Sequence, residues 1–288
     1  MSLRLEAFAK VNRSLLVLGR RSDGFHELRT LFETIDLSDV LTFEEAPELS
    51  LACSDGDLSV GEDNLVLGAA HALLAASGTS RGASIHLEKR IPWGAGLGGG
   101  SADAAATLLG LRALWRLDLS DGALHELASA LGSDVPFFLV GGRALGEGRG
   151  ERLTALPDPD EPEWIVLLSP PFGLPTPAVF ARLGLTPGQA TTNLPGSDSE
   201  PFPDRNDLEQ AAESLRGELR ILRSALSSAG ATSARLSGSG SSVFGVFASR
   251  ESALQGAARL GAVPEGTRIR VVPTIARRDF QARAFPRR

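Results

Sequence analysis

Two hydrophobic rhythms run along the chain, one of period two and one helical. From Leu3 to Arg20, "LRLEAFAKVNRSLLVLGR" alternates apolar and polar residues in patches, as strands with one buried face do. Asp23-Gly24 in "RSDGFHELRT" gives a turn signal, and "LFETIDLSDVLTFEEA" returns to alternation. "NLVLGAAHALLAA" has amphipathic helical spacing, and "ASIHLEKRIP" alternates again with Ile85, Leu87 and Ile91 on one side. A glycine-rich stretch then runs into "SADAAATLLGLRALWRL", whose Leu108, Leu111, Leu114 and Trp115 recur at helical spacing. This pattern predicts a helix opening at Ser101. A second helix, "DGALHELASALG", ends at Gly132.

The Pro157–Trp164 stretch, "PDPDEPEW", punctuates the chain and is the candidate domain boundary. Behind it "WIVLLSPP" reads as a buried strand, and 186–206, rich in Pro, Gly, Ser and Asp, as a long loop. "DLEQAAESLRGELRILRSALSSAG" predicts one helix with Asp207 as N-cap, Gln210 three residues on, and Gly230 at the C-terminal cap. "ARLSGSGSSVFGVF" predicts strand, glycine turn and strand.

Composition narrows the function classes. With 42% hydrophobic and 22% charged residues, the 288-residue chain reads as globular, and a net charge of -6 argues against nucleic acid as a partner. No apolar run approaches a membrane span or a signal peptide, and the lone Cys53 suits a reducing compartment. The expectation is a cytoplasmic enzyme with no membrane partner; oligomeric state is not legible. One bias stands out: of 29 lysines and arginines, the lysines are only Lys10 and Lys89. A coding bias that replaces lysine wherever arginine serves explains the pattern. Lysine is a compact point charge that binds phosphate and can deprotonate, so the two survivors either mark positions where arginine does not serve or were retained by chance.

The glycine stretch holds Gly94-x-Gly96-x-x-Gly99, the letters of a dinucleotide fingerprint. That role needs a buried parallel strand in front and an acidic residue on a following strand. Here the preceding strand alternates and carries Glu88, Lys89 and Arg90, while Asp118 lies beyond a helix. The Walker lysine is missing too. What survives is a strand-to-helix turn whose backbone N–H groups and helix N-terminus suit phosphate. Lys89 either adds charge at its entrance or is an exposed strand lysine, and Ser101 either caps the helix or offers a hydroxyl to a metal-bound phosphate.

Six ordered segments carry a family resemblance. "AFAKVN", "GAGLGGGSADAA" and "LSGSGSS" resemble the three motifs of the GHMP kinases. "GRRSDGFHELRTLFETIDLSD", "GSDVPFFLVGG" with "GRGE", and "NDLE" are similar to the branch acting on cytidine diphosphate methylerythritol. The resemblance implies an α+β, two-domain GHMP kinase fold, 1–157 and 158–288, with the active site in the interdomain cleft. It implies ATP and Mg²⁺ as cofactors, and phosphorylation of the 2-hydroxyl of that small-molecule substrate in the non-mevalonate isoprenoid pathway.

Carried over residue by residue, Lys10 and Asp134 become the catalytic pair. Pro92, Trp93, Gly94, Ala95, Gly96, Leu97, Gly98, Gly99, Gly100, Ser101 and Ala102 hold ATP, with Lys89 and, on the adenine side, Asn64; Ser101 is the metal candidate. Phe25 and Phe180 sandwich the cytosine and His26 reads its edge, while Asn12, Thr176, Gly238 and Ser239 complete the substrate site. Phe25 stands where tyrosine is usual and Trp93 where methionine is. A homoserine or mevalonate type of GHMP kinase, and a non-catalytic nucleotide-binding protein, are the alternative readings.

Overall fold

A computed structural model describes residues 2–191 and 202–286; the centre of the expected 186–206 loop lies outside the described residues. β1 (Ser2–Arg20) and β2 (His26–Ala46) form a long antiparallel hairpin. Then come β3 (Ser50–Cys53), α1 (Leu65–Ser77), β4 (Gly82–Glu88), α2 (Gly99–Leu114) and α3 (Asp121–Leu131). A 3₁₀ turn, Val135–Leu139, leads to β5 (Arg143–Gly148), β6 (Arg152–Ala155) and β7 (Trp164–Ser169). The remainder is α4 (Thr176–Ala181), α5 (Glu209–Leu215), α6 (Glu218–Ser228), β8 (Ser233–Leu236), β9 (Val243–Phe247), α7 (Arg250–Ala258), β10 (Arg268–Pro273) and α8 (Arg277–Ala284).

One sheet runs β3-β4-β2-β5-β6 with β1 also on β2; a second runs β10-β7-β9-β8. Pairing is antiparallel except between β3 and β4. The patchy alternation of β1 has a physical cause in register shifts at Phe8/Ala9, Asn12/Ser14 and Val17/Gly19. Along its length the one strand feeds four hydrophobic clusters, Phe8 packing in the one around Phe280. Leu5 and Ala7 pack with α1 and α2, Ala9 and Val11 between the sheets, and Leu15 and Val17 with α5 and α6.

α2 is buried on nearly every side, from Ala102 through Leu111, as expected of a helix apolar all round. Its small residues permit this. A Cβ on Gly110 would lie 2.5 Å from the Phe43 ring, so glycine there sets how closely α2 approaches β2.

The structure departs from the sequence reading at three elements. The helix expected from Asp207 to Gly230 is two helices, broken where Arg216 takes an extended conformation. Asp207 does not cap; its carboxylate accepts the amide of Val17 on β1, and the Asn206 Oδ1 accepts from Leu208 instead. α2 begins at Gly99, with Gly98 in the left-handed region (φ 72°) as N-cap and no side-chain cap, so Ser101 is its third residue and not its first. Finally, α8 returns to the first sheet: Phe280 packs on Phe8 and Arg283 pairs with Glu6 and Asp36. A single cut after residue 157 therefore does not separate the packing units.

Candidate active site

The three motif segments meet in one cleft of about 630 Å³, bounded by β1, the start of α2, the 3₁₀ turn, α4 and the β8–β9 turn. Its glycine wall is built by backbone bonds that point the loop's carbonyls into the protein. Leu174 N–H donates to the Gly94 carbonyl (3.4 Å), Ser242 N–H to Ala95 (3.0 Å), the Ser237 hydroxyl to Gly96 (2.8 Å) and Lys10 N–H to Leu97 (3.0 Å). Gly94, Gly96 and Gly98 all have φ between 65° and 75°, a conformation that costs non-glycine residues energy. Space is equally restrictive. A Cβ on Gly96 would sit 2.0 Å from the Ser237 carbonyl oxygen, and one on Gly98 2.8 Å from the Phe138 ring. Past Gly98, the first amides of α2 have no intrahelical acceptor. With the helix dipole they form a cradle for anionic groups.

Lys10 lies beneath this cradle and is only 2% exposed. Its ammonium donates to Asn12 Oδ1 (2.6 Å) and to the Gly96 carbonyl (3.0 Å), and stands 3.3 Å from Asp134 Oδ2. Asn12 is oriented in turn by donating to Thr30 Oγ1 (2.8 Å), whose hydroxyl donates to the Ser14 carbonyl. Asp134 opens the 3₁₀ turn, and a third of its side chain faces the cleft. A fixed ammonium, a reachable carboxylate and an anion cradle are thus in direct contact, the arrangement that phosphoryl transfer to a hydroxyl requires.

The other side of the cleft is carried by the tip of the β1–β2 hairpin and by α4. Phe25, half exposed, lies under the Arg149 guanidinium (4.8 Å), and His26 stacks on Phe180 with ring centroids 4.6 Å apart. Burial and the nearby Arg20 charge hold the His26 imidazole below the usual histidine value. A neutral ring at neutral pH carries one N–H donor and one acceptor. Thr176 and Ser239 share a hydrogen bond (2.8 Å), and the Gly238 carbonyl is fixed by Asn206, which also donates to Leu236.

Of the residues named from sequence, the cleft brings together Lys10, Asn12, Phe25, His26, all of 92–101, Asp134, Thr176, Phe180, Gly238 and Ser239. Three lie elsewhere. Ala102 is buried inside α2. Asn64 caps α1, accepting from Val66 N. Lys89 does not offer its charge to the cleft: its ammonium is buried between Asp39 (2.5 Å) and Asp103 (2.8 Å). Burial opposes that ammonium, yet Asp103 and Asp39 outweigh it and raise its pKa. Burial likewise pushes the Asp103 carboxyl up to about 7 against the pull of Lys89. Sequence reasoning missed Arg149 as a cleft residue, although it sits inside the "GRGE" segment, and missed Asn206 as the anchor of Gly238.

Comparison with known proteins gives a consistent result. Residues 64–142 match the GHMP kinases N terminal domain and 198–265 the GHMP kinases C terminal domain. A 4-diphosphocytidyl-2-C-methyl-D-erythritol kinase of Moorella thermoacetica is 44% identical over 271 residues, covering 90% of this chain and 94% of that protein. One from Pelotomaculum thermopropionicum is 45% identical over 264 residues, covering 88% and 92%. A crystal structure of 4-(cytidine 5'-diphospho)-2C-methyl-D-erythritol kinase superposes with a TM-score of 0.77 at 38% identity, over 94% of this chain and 98% of that one.

Proposed function

The chain belongs to the 4-diphosphocytidyl-2-C-methyl-D-erythritol kinases of the GHMP superfamily, and from that premise we propose how its cleft performs the reaction. It is an ATP-dependent kinase of the non-mevalonate route to isoprenoid precursors. ATP lays its phosphates on the Gly94–Ser101 cradle. The acceptor lies along the β1–β2 hairpin, with its cytosine among Phe25, His26 and Phe180 and its erythritol end at Lys10 and Asp134. The 2-hydroxyl gives its proton to Asp134 as its oxygen bonds the γ-phosphorus, and ADP leaves. Lys10 stabilises the charge that develops between them. Asn12, Thr176, Gly238 and Ser239 hold the rest of the acceptor, its ribose, diphosphate and erythritol portions, in register.

The observation that carries this reading is the Lys10–Asp134 pair at 3.3 Å, touching the Gly96 carbonyl from below. Among the described residues no three His, Cys, Asp or Glu side chains cluster to hold a metal. Mg²⁺ characteristically keeps few protein ligands and travels on nucleotide phosphates. That fits this cradle, where Ser101 would be the protein donor; the ion supplies charge neutralisation on the phosphates.

The test is ADP release with the cytidyl acceptor beside homoserine and mevalonate. Turnover is expected with the cytidyl acceptor alone, and turnover with either of the others in its place would overturn the assignment. Phe180→Ala should raise the acceptor KM with little change in the ATP KM. Stacking on a base is worth about 1–3 kcal/mol, or roughly 5- to 150-fold in KM. An unchanged acceptor KM would remove Phe180 from the base site.

A further inference from the structure

Lys89, Asp39 and Asp103 lie outside the cleft, yet they touch both ends of its glycine loop. The Asp39 carboxylate accepts the backbone amides of Arg90 (2.5 Å) and Ile91 (2.9 Å), which lead into the loop, and the Lys89 ammonium through its other oxygen. Lys89 then reaches Asp103, which sits one turn into α2 on the far side of the loop. The backbone amide of Lys89 is held as well, by the Ser54 hydroxyl (2.9 Å). Gly99 is packed against the same group, since a Cβ there would lie 3.0 Å from Ile91 and 3.3 Å from the Lys89 nitrogen. The loop between residues 92 and 98 is therefore a span whose two feet are tied through one ammonium.

We propose that the Asp39–Lys89–Asp103 triad is a staple that fixes the spacing and direction of the phosphate loop, so that Asp103 is a positioning residue for ATP. The inference rests on the ATP reading of the cleft. Two features separate it from ordinary core stabilisation. Two carboxyl groups share one buried ammonium, an unbalanced polar cluster that is costly for the fold. Asp103 Oδ1 has no hydrogen-bond partner among the described residues, so its strongest tie is the one Oδ2 makes to Lys89, with the Asp39 carboxyl close beside it. A residue kept for stability would be better served by an apolar side chain at this buried position of α2. Lysine suits the centre because its compact ammonium offers three donors, while a guanidinium is a broad planar fork.

The experiment compares the wild type with Asp103→Ala and Asp103→Asn. The alanine variant cuts only the α2 foot: Lys89 stays neutralised by Asp39, and alanine favours helix. Its melting temperature is expected within a few degrees of the wild type. Its ATP KM, and the dissociation constant of a non-hydrolysable ATP analogue by calorimetry, should rise roughly 10-fold or more, since misplacing a positioning element by about 1 Å costs up to ~10²-fold. The acceptor KM should hold. Asp103→Asn keeps an oxygen facing Lys89 and should recover most of the affinity. An alanine variant that binds the analogue like the wild type, an asparagine variant no better than alanine, or parallel loss of both KM values with a large fall in melting temperature would each overturn the staple. A wild type that failed to bind the analogue at all would overturn the ATP reading itself.

Discussion

An Asp134→Asn enzyme is expected to bind ATP and acceptor at near-normal affinity and to turn over about 10²–10⁴-fold more slowly, the usual contribution of a general base. The substitution keeps the volume of the side chain at the mouth of the 3₁₀ turn and removes its capacity to take a proton. ATP binding should survive because the loop is anchored without Asp134: its carbonyls are held by Leu174, Ser242, Ser237 and Lys10. Lys10 keeps Asn12 and the Gly96 carbonyl as partners when its carboxylate neighbour becomes an amide. Steady-state kinetics beside analogue calorimetry separates the two effects. A drop in kcat with both KM values unchanged identifies an interaction made only in the transition state. Near-normal turnover would take the proton-accepting role away from Asp134.

How much of this was legible in the sequence depended on distance along the chain. Local signals read well: the Asp23-Gly24 turn does separate β1 from β2, and the β4 alternation marks a strand paired antiparallel to β2. The glycine loop read correctly as a turn into a helix, but the helix start was misplaced by two residues. Serine is a favoured cap, whereas the left-handed Gly98 caps through its backbone, a geometry dictated by Phe138 and Lys10 packed against it. The break at Arg216 was invisible because the apolar spacing continues across it. Asp207 looked like a cap only because its real partner, Val17, is 190 residues away.

The two lysines show the same limit more sharply. Composition singled out both, and both are buried against carboxylates, so the bias carried structural information. It did not say which lysine faced the reaction. Lys89 follows a strand and precedes a phosphate loop, which reads as a phosphate contact. Its actual partners are Asp39, 50 residues before it, and Asp103, which helical periodicity turns inward beneath the loop. Apart from the motif around it, Lys10 gave no local sign of the cleft; the glycine loop and the β8–β9 turn bring Gly96 and Gly238 to it beside Asn12 of its own strand.

That crowding makes Lys10→Arg the second severe substitution, although it preserves charge. Lys10 Nζ already lies 3.3 Å from where a Cβ on Gly238 would be, and its Cε 3.2 Å from where one on Gly98 would be. Glycine at both positions leaves space for the lysine side chain, whose ammonium already fills the gap between Asn12, the Gly96 carbonyl and Asp134 that a wider guanidinium would have to enter. To fit, it must displace the Gly96 carbonyl and with it the floor of the cradle. Overpacking of this kind costs about 1–3 kcal/mol of stability. Loss of a preorganised donor at a developing charge typically costs ~10²–10³-fold in kcat. The expected outcome is a fall in turnover of at least ~10²-fold together with a higher ATP KM, since loop and ammonium move as one. Lys10→Met, which fills a similar volume without charge, should keep the melting temperature and lose turnover, separating charge from packing. A fully active Lys10→Arg enzyme would mean that the surviving lysine reflects drift in codon use and that the ammonium is not held to a tight position. Full activity in Lys10→Met would remove Lys10 from the chemistry altogether.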